Sequence, residues 1–376
     1  MQCLERLVVP KENLYFAIIA PGFEPICAGE LSALGIVPEQ IEPGGVSFRG
    51  GLRELYLANL WLRSASRILV RLGDLTARDF PTLYQRLVRL PWGRFVKPGQ
   101  ACDFKVSCRN SRLTHSGRIA DTCREAMAKA LGGSCQEAEA RLAVFIRLID
   151  DRCTVSVDSS GALLHRRGYR QAHGAAPLRE TLAAGCLLAC GYDGSRPLLD
   201  LMTGSGTFAI EAALIAQNRA PGATRSFAFM AWPKYRAGLW QQLLEEAHSK
   251  ARVRPAAAII GVDNNPKVLA AAQLNLVQSE LQEVVELRCC DMRDVEPPAA
   301  DGLLICNPPY GERLGKNASL SGFYAQLGQL YAQRFSSWRG AILCPDNRLI
   351  RASGIAWETL LQTVNGGIKV SLFGKR

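Results

Sequence analysis

The chain has 376 residues, a net charge of +11 and 48% hydrophobic residues. At roughly 150 residues per domain, that length suits two or three domains, and the composition excludes a wholly disordered, collagen-like or low-complexity chain. No apolar run reaches the roughly 18 residues of a membrane-spanning helix. Met1 to Asn13 carries Glu5, Arg6, Lys11 and Glu12, which leaves no signal-peptide core, so the expected compartment is the cytoplasm.

Lys and Arg total 45 against 34 Asp and Glu. Residues 1–170 hold 24 basic and 17 acidic side chains, and residues 171–376 hold 21 and 17. The excess leans to the N-terminal part and points to a polyanionic partner, with an arginine-rich background composition as the alternative. The thirteen cysteines are scattered and form no C-x-x-C pair, so they read as reduced, buried hydrophobes, and no metal is expected.

In chain order, Leu14 to Ile19 reads as a strand and Phe23 to Leu34 as a helix, followed by a glycine-rich hairpin around Gly44 to Gly51. Leu52 to Ala65 reads as a helix, with Asn59, Arg63 and Arg67 spaced to share a polar face. Phe80 to Val88 is another helical candidate. Asp103 to Arg109 alternates strictly, which predicts a half-buried strand whose outer face carries Lys105 and Arg109. Ile119, Cys123, Met127 and Leu131 then share a helical face. Leu142 to Ile149 and Cys153 to Val157 form a hairpin. Between Ser159 and Pro177 the composition turns to Gly, Ala, Arg and His. His165 to Arg170 holds four cations and a ring if His165 is protonated.

From about residue 178 strands alternate with helices. The strands are expected at Leu198 to Met202, Ala257 to Asp263, Val284 to Cys290, Gly302 to Cys306 and Gly340 to Cys344, which predicts a parallel, doubly wound sheet. Trp357 to Val364 and Ile368 to Phe373 are joined only by Asn365, Gly366 and Gly367, a connection that short being possible only in an antiparallel hairpin.

Chemistry gathers at the carboxyl ends of these strands. Asp200 to Thr207 (D-L-M-T-G-S-G-T) follows the first, and Gly204 and Gly206 let backbone approach a ligand. Asp200 suits an amino-bearing ligand better than a pyrophosphate. Asp263 ends the second strand, placed for ribose hydroxyls, or alternatively as a helix cap before Pro266. Asp291 ends the third, placed for an adenine amine, or alternatively as a turn residue. Asn307-Pro308-Pro309-Tyr310 ends the fourth. The Asn307 amide oxygen and the Pro308 carbonyl can accept both hydrogens of an exocyclic amine while Tyr310 stacks on its ring; an ordinary Pro-Pro loop is the alternative.

Together with Leu57 to Arg63, Leu163 to Arg170, Ala176 to Ala184 and Phe227 to Phe229, these motifs make nearly the whole chain resemble class I S-adenosylmethionine (SAM)-dependent methyltransferases that act on planar amino groups. The likeness is closest to bacterial THUMP-domain enzymes that form N2-methylguanine in 23S ribosomal RNA, whose members also carry the label of N6-adenine-specific DNA methylases. The resemblance implies a Rossmann-like sheet with an antiparallel last strand, behind an α+β ferredoxin-like and THUMP region. The implied limits are 1–65, 66–162 and 163–376, with a helical insertion between Thr224 and Arg254. Some relatives carry a second methyltransferase domain, an activity not expected in a chain ending at Arg376. The expected cofactor set is Asp200, Thr203, Gly204, Gly206, Thr207, Asp263, Asn264, Asp291, Met292 and Asn307, with Asn307, Pro308 and Tyr310 catalytic. Lys105, Arg109, Arg112, Arg118, Arg166, Arg167 and Arg170 are the candidate RNA contacts, a solvated charged face being the alternative. The implied partner is 23S rRNA or an assembly intermediate of the large subunit. Adenine-N6 methylation of DNA or RNA, and a non-enzymatic RNA-binding factor, are the competing readings.

Overall fold

The computed structural model describes residues 12–133, 141–171, 178–309 and 320–375. The first half is one mixed sheet of seven strands, in the order β2-β3-β1-β4-β7-β6-β5. It is built from β1 (Asn13–Ile19), α1 (Glu24–Ala33), β2 (Pro38–Glu42), β3 (Gly45–Gly50), α2 (Leu52–Trp61), β4 (Ala65–Thr76), α3 (Phe80–Val88), β5 (Cys102–Arg109), α4 (Ser116–Leu131), β6 (Leu142–Ile149) and β7 (Arg152–Asp158). β4 pairs with β1 on one side and β7 on the other, and β5 runs parallel to β6. β4 begins at Ala65 and joins β1 to β7, so the two N-terminal segments share one continuous sheet.

β4 corrects the sequence reading. The helix ends at Trp61, so Arg63 and Arg67 do not share a face with Asn59. A central strand is covered on both faces and loses the polar alternation that marks a half-buried one. In β4 the run Ile68, Leu69 and Val70 is buried without interruption. Arg67 on this strand pairs with the buried Asp158 on β7, while Asn59 Nδ2 donates to Ser159 Oγ at 3.0 Å.

The second half comprises α5 (Glu180–Ala189), β8 (Leu198–Asp200), α6 (Thr207–Ala216), α7 (Ala237–Ser249), β9 (Ile259–Asp263), α8 (Pro266–Gln278), β10 (Val285–Cys289), β11 (Leu303–Cys306), α9 (Leu320–Arg334), β12 (Arg339–Cys344), α10 (Asn347–Ala352), β13 (Glu358–Asn365) and β14 (Ile368–Lys375). Its sheet runs β10-β9-β8-β11-β12-β14-β13. β10 through β12 pair in parallel, and β14 inserts antiparallel to both β12 and β13. β8 and β11 are wholly buried, as parallel strands covered by helices on both faces must be. The strand order reverses at β8, and ligands of open α/β sheets bind outside the carboxyl ends at such a point.

The two halves share one hydrophobic core. The insertion adds Phe227, Phe229, Trp232 and Trp240 to it. Tyr56 on α2 stacks on Phe229 with ring centroids 4.4 Å apart, and Phe95 meets Trp232 at 5.0 Å. Phe229 N also donates to Ser159 O at 3.0 Å. Such ring pairs add roughly 0.5–1.5 kcal/mol each beyond buried area, so the insertion fastens the first sheet to the second. Among the described residues no helix is long and apolar enough to cross a membrane.

Candidate functional site

A cavity of about 570 Å³ opens at the carboxyl ends of β8, β9, β10 and β11, within the range of small-molecule sites. The turn after β8 forms its floor. Gly204 and Gly206 hold φ of 53° and 85°, in the left-handed region that favours glycine. Gly206 is not among the residues that line the cavity, although Ser205 and Thr207 on either side of it are. A Cβ there would sit 3.3 Å from Ala272 Cβ, so its constraint is the close approach of α8.

The remaining members of that set line the cavity. Asp200 is buried; its Oδ1 accepts weakly from Met202 N at 3.4 Å and its Oδ2 has no partner among the described residues. Burial pushes its pKa up to about 7, against the Thr203 hydroxyl and the Met202 N–H, which favour the charged form, and with the Asp263 carboxylate adding a smaller push upward. Asn307 Oδ1 is likewise buried without a partner among the described residues.

Asp263 is not the helix cap. Asn265 caps α8 by accepting from Lys267 N at 3.0 Å. Asp263 instead accepts from Gly204 N and Asn265 N, each at 3.0 Å, which ties the glycine turn to the end of β9. Asp291 does behave as a turn residue. It accepts from Arg293 N at 2.9 Å, and its two oxygens take the Arg293 guanidinium at 2.9 and 3.0 Å. Those bonds hold its pKa below the usual carboxylate range. Pro309 lines the cavity, Pro308 is buried and does not, and Tyr310 lies outside the described residues.

Phe323 and Gln326, one turn apart on α9, also line the cavity and were missed from the sequence. They lie far beyond Asn307 in the chain with no local motif, and only the folding of α9 over the sheet edge brings them in. Arg293 was missed too, although its place two residues after Asp291 was a usable signal.

The candidate RNA contacts divide. Lys105, Arg109, Arg112, Arg118 and Arg166 are exposed. Arg118 lies over the Phe80 ring at 4.0 Å, and Lys105 is 5.8 Å from the Phe145 centroid. Arg167 and Arg170 correct the expectation, because both are turned inward. Arg167 is 5% exposed and donates to Arg63 O at 2.7 Å, to Leu164 O at 2.9 Å and to both Glu211 oxygens at 3.5 Å. Tyr169 OH donates to the same Glu211 at 3.1 Å. Arg170 Nε donates to Glu180 at 2.7 Å. A buried Glu211 needs such partners, since an unpaired interior charge is costly. His165 is not a fourth cation. Burial, then the surrounding arginines, pulls its pKa down to about 4, so it is neutral at pH 7.

Residues 167–358 match the family described as RMKL-like, methyltransferase domain. Residues 15–69 match the RlmL ferredoxin-like domain and residues 77–158 the THUMP domain. A Synechocystis sp. protein named "Putative RNA methyltransferase" is 35% identical, over 95% of this chain and 95% of its own. The "Ribosomal RNA large subunit methyltransferase K/L" of Syntrophotalea carbinolica is 36% identical over 95% of this chain. It is matched over 53% of its own length, so the chain spans about half of that relative. A solved structure of "a putative methyltransferase complexed with SAH" is 32% identical with a TM-score of 0.89, covering 98% of this chain and 99% of that one. The cavity edge, the glycine turn and these matches across both halves place the chain in the RMKL-like methyltransferase family, with RlmL ferredoxin-like and THUMP domains ahead of the methyltransferase domain.

Proposed function

We propose that this chain methylates an exocyclic amine of large-subunit ribosomal RNA, guanine N2 in 23S rRNA, with SAM as methyl donor. The observation that carries this reading is a convergence. Two buried acceptor oxygens without a hydrogen-bond partner among the described residues, Asp200 Oδ2 and Asn307 Oδ1, belong to residues lining one cavity. Buried acceptors left unpaired are costly, so the cavity fits a ligand rich in N–H and O–H groups. SAM offers an ammonium, two ribose hydroxyls and an adenine amine to the acids of the cavity, the target amine supplies the donor for Asn307 Oδ1, and the SAH of the solved relative is the demethylated form of SAM.

When bound, SAM supplies a methyl group already activated by its sulfonium. The chain's own residues then bind and orient. Asp263 accepts from the ribose hydroxyls with lone pairs that Gly204 and Asn265 leave over, and Asp200 faces the amino end. Asp291 takes the adenine amine beside Arg293. Asn307 Oδ1 and the Pro308 carbonyl accept from the target amine. They draw its nitrogen toward tetrahedral geometry and stabilise the positive charge that develops on it. The base must leave its stack to reach them, at a cost of a few kcal/mol, part of which stacking on Tyr310 offsets. Lys105, Arg109, Arg112, Arg118 and Arg166 contact phosphates, so binding should weaken as salt rises.

The test is incubation of the full chain with large-subunit rRNA and methyl-labelled SAM, followed by nucleoside mass spectrometry. Labelled N2-methylguanosine is expected. Labelled N6-methyladenosine would overturn the target base, and no labelled nucleoside would overturn the activity.

A further inference from the structure

We infer that Arg170 is a positioning residue for the cofactor turn, an inference that rests on the SAM reading above. Arg170 does not itself line the cavity. Its guanidinium reaches four groups at once. Nε donates to Glu180 Oε1 at 2.7 Å, Nη1 to Ser205 Oγ at 3.3 Å, and Nη2 to Leu178 O at 3.0 Å and Thr207 Oγ1 at 3.1 Å. Leu178, Ser205 and Thr207 all line the cavity, and the last two bracket Gly206. The side chains of Arg170 and Glu180 are only 15% and 5% exposed, so water competes little for these bonds.

The turn needs support from outside itself. Two glycines with positive φ give it conformational freedom that local sequence does not remove. Arg170 fixes its side-chain hydroxyls. Asn275 on α8 fixes its backbone, donating to Ser205 O at 3.0 Å while its Oδ1 accepts from Gln171 N at 2.9 Å, the residue after Arg170. The same segment continues along α6. Arg167 and Tyr169 hold Glu211, one turn from Thr207, and Arg63 donates to Leu214 O and Arg219 O at the far end of the helix. The strap therefore runs from the first sheet to the cofactor turn, with Arg170 at its working end. A planar fork of five donors can span these groups, whereas a lysine ammonium can neutralise Glu180 but not reach the two hydroxyls as well.

The experiment compares wild type, Arg170→Lys and Ser205→Ala as full chains. It reads amide hydrogen exchange over residues 203–207 in the ligand-free protein, and SAM affinity by calorimetry. Arg170→Lys should speed exchange across the turn, leave β1 and β4 unchanged, and weaken SAM roughly tenfold. Ser205→Ala should shift both readouts less, in the same direction, and add little in the double variant because the two residues share one bond. An Arg170→Lys chain whose turn exchanges and binds SAM like wild type would reduce Arg170 to charge pairing with Glu180 and overturn the inference alone. If Arg170→Lys does not fold, unchanged exchange and affinity in Ser205→Ala overturn it. A wild-type chain that binds no SAM removes the cofactor reading and this inference with it.

Discussion

Strand β5 and the segment 163–171 each carry several cations, yet β5 turns Lys105 and Arg109 to solvent while the segment buries Arg167 against α6. The difference lies in what flanks them. On β5 a two-residue period separates charged from apolar side chains, so the cations keep their water. In the segment, Leu164 and Tyr169 are buried, and Arg167 between them turns inward while Arg166 and Gly168 stay exposed. Arg167 then answers to Glu211 and to the carbonyls of Arg63 and Leu164. Charge is a binding surface only where the fold leaves it wet.

The largest expected effect is on the buried side of this contrast. Arg167→Ala leaves Glu211 without its cation, and breaking a buried pair from one side costs about 3–5 kcal/mol. Denaturant melts should show that loss, while Arg109→Ala stays within about 0.5 kcal/mol of wild type. Equal stability of the two variants would break the comparison.

A buried polar group aimed at a cavity should behave differently from one aimed at a partner. Asn307→Ala removes an acceptor unpaired among the described residues, so it should spare stability and SAM affinity. The bond strengthens only as the target amine becomes cationic, and kcat should fall about 10²-fold, as for other preorganised polar groups. Single-turnover kinetics checks this; near-normal kcat would make the Asn-Pro-Pro loop structural.

The smallest effect is on the wet side. Replacing Lys105 and Arg109 together with alanine should weaken RNA binding and flatten the slope of log K against log salt by about one to two contacts, at roughly 0.7 per contact on single strands. An unchanged slope in a filter-binding titration would remove β5 from the RNA surface.

The four strands that carry the site were legible in the sequence because an acid or amide stands at or just past each carboxyl end: Asp200 and Asp263 close β8 and β9, and Asp291 and Asn307 follow β10 and β11. The antiparallel β14 followed from the short Asn365-Gly366-Gly367 link. β4 was missed: the sequence reading carries the helix to Ala65 and assigns no element before Phe80, because Ile68, Leu69 and Val70 are buried in succession and show no alternation at the start of the strand. Of the site, the glycine turn and the strand-end acids were readable. Phe323 and Gln326 were not, because tertiary packing alone brings α9 to the cavity. Arg167 and Arg170 were misread because a short basic run looks the same whether it faces solvent or a buried glutamate.

The central claim is a division of labour, with cofactor held at the carboxyl edge of the second sheet and RNA gripped by the first. A calorimetric SAM titration of Asp263→Ala beside the Lys105/Arg109 double alanine variant tests it most directly. Removing a carboxylate that accepts charge-assisted bonds is worth roughly 1.5–3 kcal/mol. Asp263→Ala should therefore bind SAM at least about tenfold more weakly, while the double variant binds as wild type. Unchanged affinity in Asp263→Ala, or an equal loss in both, would contradict the account.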